Sequence, residues 1–232
     1  MTVRAIGSAV LLAVCPLPPS LAAAQNLKIV EADKPYVHKP TGMSFPPAVG
    51  HLQRDKVIEY DREATDISAG YNLDEPDGRI VLTVFIFPAP MIEAGKNVAD
   101  QQKRKCGEAF EDVKSQVFVH PGAKLVEEGN VASPSPGHMH AGRRAVFTLR
   151  GMAYVELKGP LRSEADLFCY VGGKWLILYL ATAPDGVAYE SQLAELMHTI
   201  AWPNFPARDL AMSGPSRAEP RAFIRRASAP RP

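Results

Sequence analysis

Residues 165–182 read ADLFCYVGGKWLILYLAT, two apolar runs on either side of a glycine pair, and this stretch decides the fold. A primed two-residue turn imposes positive φ at its central positions, which glycine adopts without steric cost, so Gly172-Gly173 between such runs is a hairpin signal. The spacing predicts strands over Ala165 to Val171 and Lys174 to Thr182, with Phe168-Cys169-Tyr170 set against Leu176 to Tyr179 or thereabouts. Apolar character that is nearly continuous belongs to central strands covered on both faces. Arg79 to Phe87, RIVLTVFIF, has the same character.

Working outward, the first half reads as a meander. Leu52 to Tyr60 is apolar but irregular, with Val57 and Ile58 adjacent, and Ile67 to Leu73 places Ile67, Ala69, Tyr71 and Leu73 on one face. The turn-rich segments Asp61 to Thr65 and Asp74-Glu75-Pro76-Asp77-Gly78 join these runs to Arg79 to Phe87, which favours antiparallel pairing. Ahead of them, Met43-Ser44-Phe45 stops at Pro46-Pro47 and suits an edge strand, since proline has no N–H to give a ladder.

After Pro88-Ala89-Pro90 the period changes from two to about 3.6. Ala99, Cys106, Phe110, Val113 and Val117 form one helical stripe, and Lys103, Arg104, Lys105, Glu108, Glu111 and Asp112 occupy the remaining surface. His120-Pro121-Gly122 ends the pattern, and Ala123 to Val131 is extended again. Ala145 to Leu149 and Ala153 to Leu157 are further strand candidates. A closing helix over Val187 to Ile200 turns Leu193, Leu196, Met197 and Ile200 inward, and Trp202-Pro203 ends it.

The expected fold class is therefore α+β, an antiparallel β-sheet with helices packed on it in a single sandwich domain over residues 34–206. In element order this resembles the extrinsic subunit P of photosystem II and its fold relatives. The fragments Thr41-Gly42-Met43-Ser44-Phe45-Pro46 and Gly173-Lys174-Trp175-Leu176 also resemble those of a family of uncharacterised exported bacterial proteins. The resemblance covers roughly Tyr36 to Trp202 and implies an accessory or binding role; no functional residue carries over from it.

The N-terminus predicts export. Arg4 is followed by a ten-residue stretch, Ala5 to Val14, that is apolar apart from Ser8, then a Pro-broken stretch ending in Ala22-Ala23-Ala24, the small residues that signal peptidase requires. Residues 1–24 are read as a signal peptide, the mature chain as periplasmic. Leu12-Ala13-Val14-Cys15 offers the alternative of a lipid anchor through Cys15.

Across 232 residues, 26 Lys and Arg stand against 25 Asp and Glu, which gives no strong field for nucleic acid. No apolar run reaches the roughly 18 residues of a membrane helix. The balance is uneven along the chain. Residues 207–232 carry six arginines, among them Arg217, Arg221, Arg225 and Arg226, against Asp209 and Glu219. Rich in Ala, Pro and Ser without apolar periodicity, this segment reads as a disordered tail that could touch an anionic surface weakly.

Two cysteines remain after export. Cys106 on the inward helical stripe and Cys169 in a central strand are placed to form a disulfide in an oxidising compartment. Two buried thiols, or a nucleophilic Cys106 beside Lys103 and Lys105, are the competing readings. His138 and His140, two apart in Gly137-His138-Met139-His140, are candidate metal ligands, although two ligands do not make a site and a solvated loop is the simpler reading.

Asp55, Glu59, Asp61, Glu63 and Asp66 crowd the first hairpin, where wet turns are ordinarily acidic. No G-x-S-x-G, phosphate loop, dinucleotide fingerprint or Cys-x-x-Cys occurs, so no catalytic residue and no cofactor is assigned. The expectation is a non-catalytic binding or accessory protein of the cell envelope, its partner a protein, polymer or small ligand. The alternative is an envelope hydrolase whose residues come from distant loops.

Overall fold

The computed structural model describes residues 27–93, 95, 97–120, 122–135, 141–150, 157 and 159–202. Thirteen elements follow in the order β1 (Lys28–Glu31), β2 (Tyr36–His38), β3 (Met43–Phe45), β4 (Ala48–Val49), β5 (Leu52–Glu59), β6 (Ile67–Glu75), β7 (Gly78–Pro88), α1 (Val98–Phe118), β8 (Lys124–Val131), β9 (Gly142–Leu149), β10 (Leu161–Val171), β11 (Trp175–Pro184) and α2 (Glu190–Thr199).

One nine-stranded sheet runs β1-β5-β6-β7-β11-β10-β9-β8, with β4 paired to β5, and β2 and β3 form a separate two-stranded sheet. Every pairing is antiparallel. The sheet is two meanders joined at its middle, where β7 pairs with β11 from Trp175 opposite Pro88 to Thr182 opposite Val81. These strands are the two most continuously apolar runs, and each is buried on both faces. The helix α1 is the crossover that lets the second meander start at the far edge and return to the centre.

The hairpin that decides the fold is present. Gly172 and Gly173 have φ of 58° and 74°, the left-handed values expected of the pair, but Val171 stands opposite Trp175, so the connection is the three residues 172–174 rather than two, and β11 starts one residue later than expected. Phe168 stands opposite Ile177, and a register shift between Phe168 and Val171 is accompanied by Tyr170 at φ 54°.

The two helices lie on opposite faces. On one, Phe110, Val113 and Val117 of α1 pack on Phe85, Phe147, Ala165, Leu167, Leu176 and Leu178. On the other, Leu193, Leu196 and Met197 of α2 join Val57, Tyr71, Leu82, Ile86, Ile177 and Tyr179, with Tyr36, Met43 and Phe45 of the small sheet. Sheet residues divide between these clusters by parity, as the alternation of strand side chains requires. Asn97 caps α1, its side chain accepting from Asp100 N–H at 3.4 Å.

Several boundaries differ from the sequence expectations. The strand β1, ahead of Lys34, adds to the sheet beside β5. The closing helix begins at Glu190 rather than Val187, because Val187 N–H is taken by Pro184 O at 3.0 Å in a turn. The irregular pattern of Leu52 to Tyr60 has a cause: the register of β5 on β6 shifts between Arg54 and Lys56, so the face of every following side chain is re-set. Of the expected strand Ala153 to Leu157, only Leu157 is among the described residues, and β10 starts earlier, at Leu161. The expected signal peptide over 1–24, the alternative anchor Cys15 and the expected disordered tail over 207–232 lie outside the described residues.

Candidate functional site

A cleft lies at the β1 edge of the sheet. It has a volume of about 580 Å³ and is walled by β1, by the turn and strand from Lys34 to Val37, and by the loop from Arg62 to Ala64. Each wall is fixed by a buried polar side chain. Arg54, 2% exposed, sends its guanidinium under the 31–34 turn and donates to the carbonyls of Phe45, Glu31, Ala32 and Lys34. A rigid planar fork of five N–H groups can serve several carbonyls at once from nitrogens held apart.

His38 fixes the opposite wall. Fully buried, its Nδ1 meets Thr41 Oγ1 at 2.7 Å and its Nε2 meets Ala64 O at 2.6 Å, and its ring stands edge-on to Trp175. Burial holds its pKa below the ordinary histidine value. Asp61 closes the loop by accepting from Thr65 N–H at 2.7 Å and from the Thr65 hydroxyl. Two of the carboxylates crowded at the first hairpin are thereby placed: Asp61 caps a loop, and Glu59 receives Lys28 Nζ at 3.1 and 3.0 Å.

That ion pair neutralises two of the lining charges. Lys34, Lys39 and Arg62 then stand against Glu31 and Glu63. Beside the cleft, Leu27, Ile29 and Val37 are each more than half exposed. Tyr36 on the inner wall is held protonated by burial and by the negative charges of Glu59 and Asp61. The arrangement can receive an extended chain with apolar side chains at its middle and charges of both signs along it.

A second polar group sits at the start of α2. Arg144 on β9 faces two carboxylates of β10: Nε and Nη2 reach Asp166 Oδ1 and Oδ2 at 2.9 and 3.0 Å, and Nη2 reaches Glu164 Oε1 at 2.9 Å. Tyr189 donates to Glu164 Oε2 at 3.1 Å. One guanidinium serves two buried carboxyls, and Asp166 holds its fork. Burial first, and the neighbouring Asp166 second, push the Glu164 carboxyl up to about 7. Glu164 is 3% exposed, and the groups against it are Arg144, Asp166 and Tyr189, none of them a Ser or Cys nucleophile.

The sequence candidates fall as follows. Cys106 and Cys169 are joined, Sγ to Sγ 2.10 Å and Cα to Cα 5.8 Å, so both sulfurs are consumed and a nucleophilic Cys106 is set aside. His138 and His140 lie outside the described residues, as do Arg217, Arg221, Arg225 and Arg226. Among the described residues no cluster of three or more His, Cys, Asp or Glu could hold a metal ion, and no helix is long and apolar enough to cross a membrane. Sequence reasoning missed Arg54, Arg144 and Glu164. The one available signal was a charged residue inside each apolar strand pattern. No protein-family model, curated protein or solved structure matches the chain.

Proposed function

We propose that the mature chain is a non-catalytic binding module of the cell envelope, and that it takes an extended segment of a partner protein along β1, with alternate side chains entering the cleft. The observation that carries this reading is a cleft of about 580 Å³ directly beside a sheet edge, its walls held by Arg54 and His38 and its lining including the exposed Ile29 and Val37. A strand added to an edge gains main-chain hydrogen bonds, and a neighbouring cleft reads every second side chain. The lining calls for a partner segment with an apolar centre and a carboxylate to meet Lys34, Lys39 or Arg62. Export is supported by the leader-like residues 1–24 and by the Cys106–Cys169 bond, which an oxidising compartment preserves. The accessory role implied by the resemblance to photosystem II subunit P points the same way.

The test places a photo-crosslinking residue at Val37, and as a control at the exposed Glu195 on α2, in full-length protein expressed in its native cell. The reading expects a discrete protein adduct from position 37 in the periplasmic fraction, lost on Ile29→Asp, and an N-terminus at Gln25. Identical adducts from both positions, or an uncut chain in the cytosol, would overturn it.

A further inference from the structure

The opposite edge of the sheet has a different character. The strand β8 is exposed on both faces over Lys124 to Asn130, and four large apolar residues cluster there: Phe118 (48% exposed), Val119 (56%), Leu125 (41%) and Val126 (61%). Phe118 and Leu125 meet over one residue, since the Phe118 ring lies 5.6 Å from that of Phe147 and Leu125 stands directly opposite Phe147 in the β8–β9 pair.

The sequence of this edge is Lys124-Leu125-Val126-Glu127, whose order of charge and apolar residues becomes complementary to itself when a second strand is laid antiparallel. Lys124 would face Glu127 of the second copy at both ends, and Leu125 would face Val126 in the middle. Directly opposed residues must point to the same face of a sheet, so a regular strand cannot pair this way: residues three apart point to opposite faces. In β8 they do not. Lys124 stands opposite Thr148 and Glu127 opposite Val146, two positions of β9 on one face, because the register shifts between Leu125 and Glu127.

The β1 edge provides the contrast. Lys28-Ile29-Val30-Glu31 has the same pattern, but its register on β5 runs without a shift, Lys28 opposite Glu59 and Glu31 opposite Lys56. Lys28 and Glu31 therefore point to opposite faces, and β1 can match neither itself nor β8 in this register.

We infer that β8 is a self-association edge: two copies of this chain pair β8 to β8 about a two-fold axis normal to the sheet and continue one sheet across both. The register is selective. It sets Glu128 opposite Ala123 of the second copy, whereas a register centred on Glu127, or between Glu127 and Glu128, would oppose like charges. A closed two-fold pairing uses the edge up, so assembly stops at the dimer.

Sedimentation equilibrium on the mature, disulfide-intact protein tests this with Lys124→Glu, Glu127→Lys and the double exchange. The wild type is expected to be a dimer, each single variant to dissociate roughly tenfold or more readily because two attractive cross-strand pairs become repulsive, and the double exchange to restore association. Mixing the two single variants should also yield a dimer, since the glutamates of one then face the lysines of the other. A misfolded variant cannot give that rescue. A wild type that stays monomeric, or a dimer indifferent to all of these changes, would overturn the inference.

Discussion

The Cys106 and Cys169 sulfurs are bonded at 2.10 Å across the contact between α1 and β10. The bond joins residues 63 apart in sequence, so it closes a long loop that contains the whole start of the second meander. In the chain-entropy account such a closure contributes about 4 kcal/mol. The double variant Cys106→Ala, Cys169→Ala is expected to lose that much unfolding free energy in urea while keeping the β-sheet circular dichroism of the parent. Dithiothreitol should reproduce the loss in the parent and leave the variant unchanged; a difference under about 1 kcal/mol would mean that the bond constrains little of the unfolded chain.

Arg54 is the wall-holder of the cleft, with donors to four backbone carbonyls from residues 31 to 45. Arg54→Met keeps the apolar stem but leaves those acceptors without their cation. At about 1–3 kcal/mol for a buried group stripped of its partner, and with part of the set open to water, a total loss of about 3 kcal/mol is expected. The segment ahead of β2 should then be cut first in limited proteolysis, before the sheet is touched. Arg54→Lys should recover only part of the loss, because an ammonium carries its three donors on one nitrogen, whereas Arg54 uses one Nη for the Phe45 carbonyl and the other for those of 31–34. Unchanged proteolysis in Arg54→Met would show that the 31–34 turn is held by something else.

What the sequence revealed and what it hid divide along physical lines. The Gly172-Gly173 hairpin, the two central strands and the inward stripe of α1 from Cys106 to Val117 were legible because periodicity and turn chemistry are local, whereas Ala99, expected on the same stripe, is exposed in the first turn. The pairing of β7 with β11 was not, because residues about a hundred apart meet there and nothing local encodes the choice. The strand β1 escaped because it is short and exposed at three of its four residues, an edge without an apolar period. Arg54 and Glu164 were hidden for a different reason. Their burial depends on partners from other strands, and a charge within a strand pattern looks like a solvent-facing position until the neighbouring strand is known.

Gly142 packs where a larger residue will not fit. A Cβ there would lie 2.6 Å from the Phe168 ring and 2.9 Å from Val131 Cγ1. The ring has little room to yield, since Trp202 stands edge-on at 4.9 Å and Tyr179 at 6.0 Å, with Trp202 itself held by its indole N–H donating to Tyr179 Oη at 3.0 Å. Gly142→Ala is therefore expected to cost about 1–3 kcal/mol despite adding only a methyl group. A more conservative site such as Gly129, where a Cβ meets nothing within 4 Å, should tolerate the same change. Equal stabilities for the two variants would show that Phe168 can move aside.

Glu164 makes folding sensitive to pH, with a definite sign. Its carboxyl is raised from an ordinary 4.5 to about 7 by burial and by Asp166. Below the lower value both the folded and the unfolded chain carry the proton, and above the upper value neither does. Between them the folded chain keeps a proton that the unfolded chain has released, so stability falls as pH rises through this window, by up to about 1.4 kcal/mol per pH unit. Glu164→Gln imitates the protonated state at every pH and keeps an acceptor for Tyr189, so it lacks only the charge that the folded parent acquires beside Arg144 above about pH 7. The difference between variant and parent should therefore drift in favour of the variant from pH 4.5 to 7 and level off above it. His38, with its lowered pKa, makes folding less favourable at acid pH, but it is common to both proteins and cancels in the difference. Urea midpoints at half-unit intervals measure the drift, and parallel profiles across the window would show that Glu164 is ionised in the folded chain throughout.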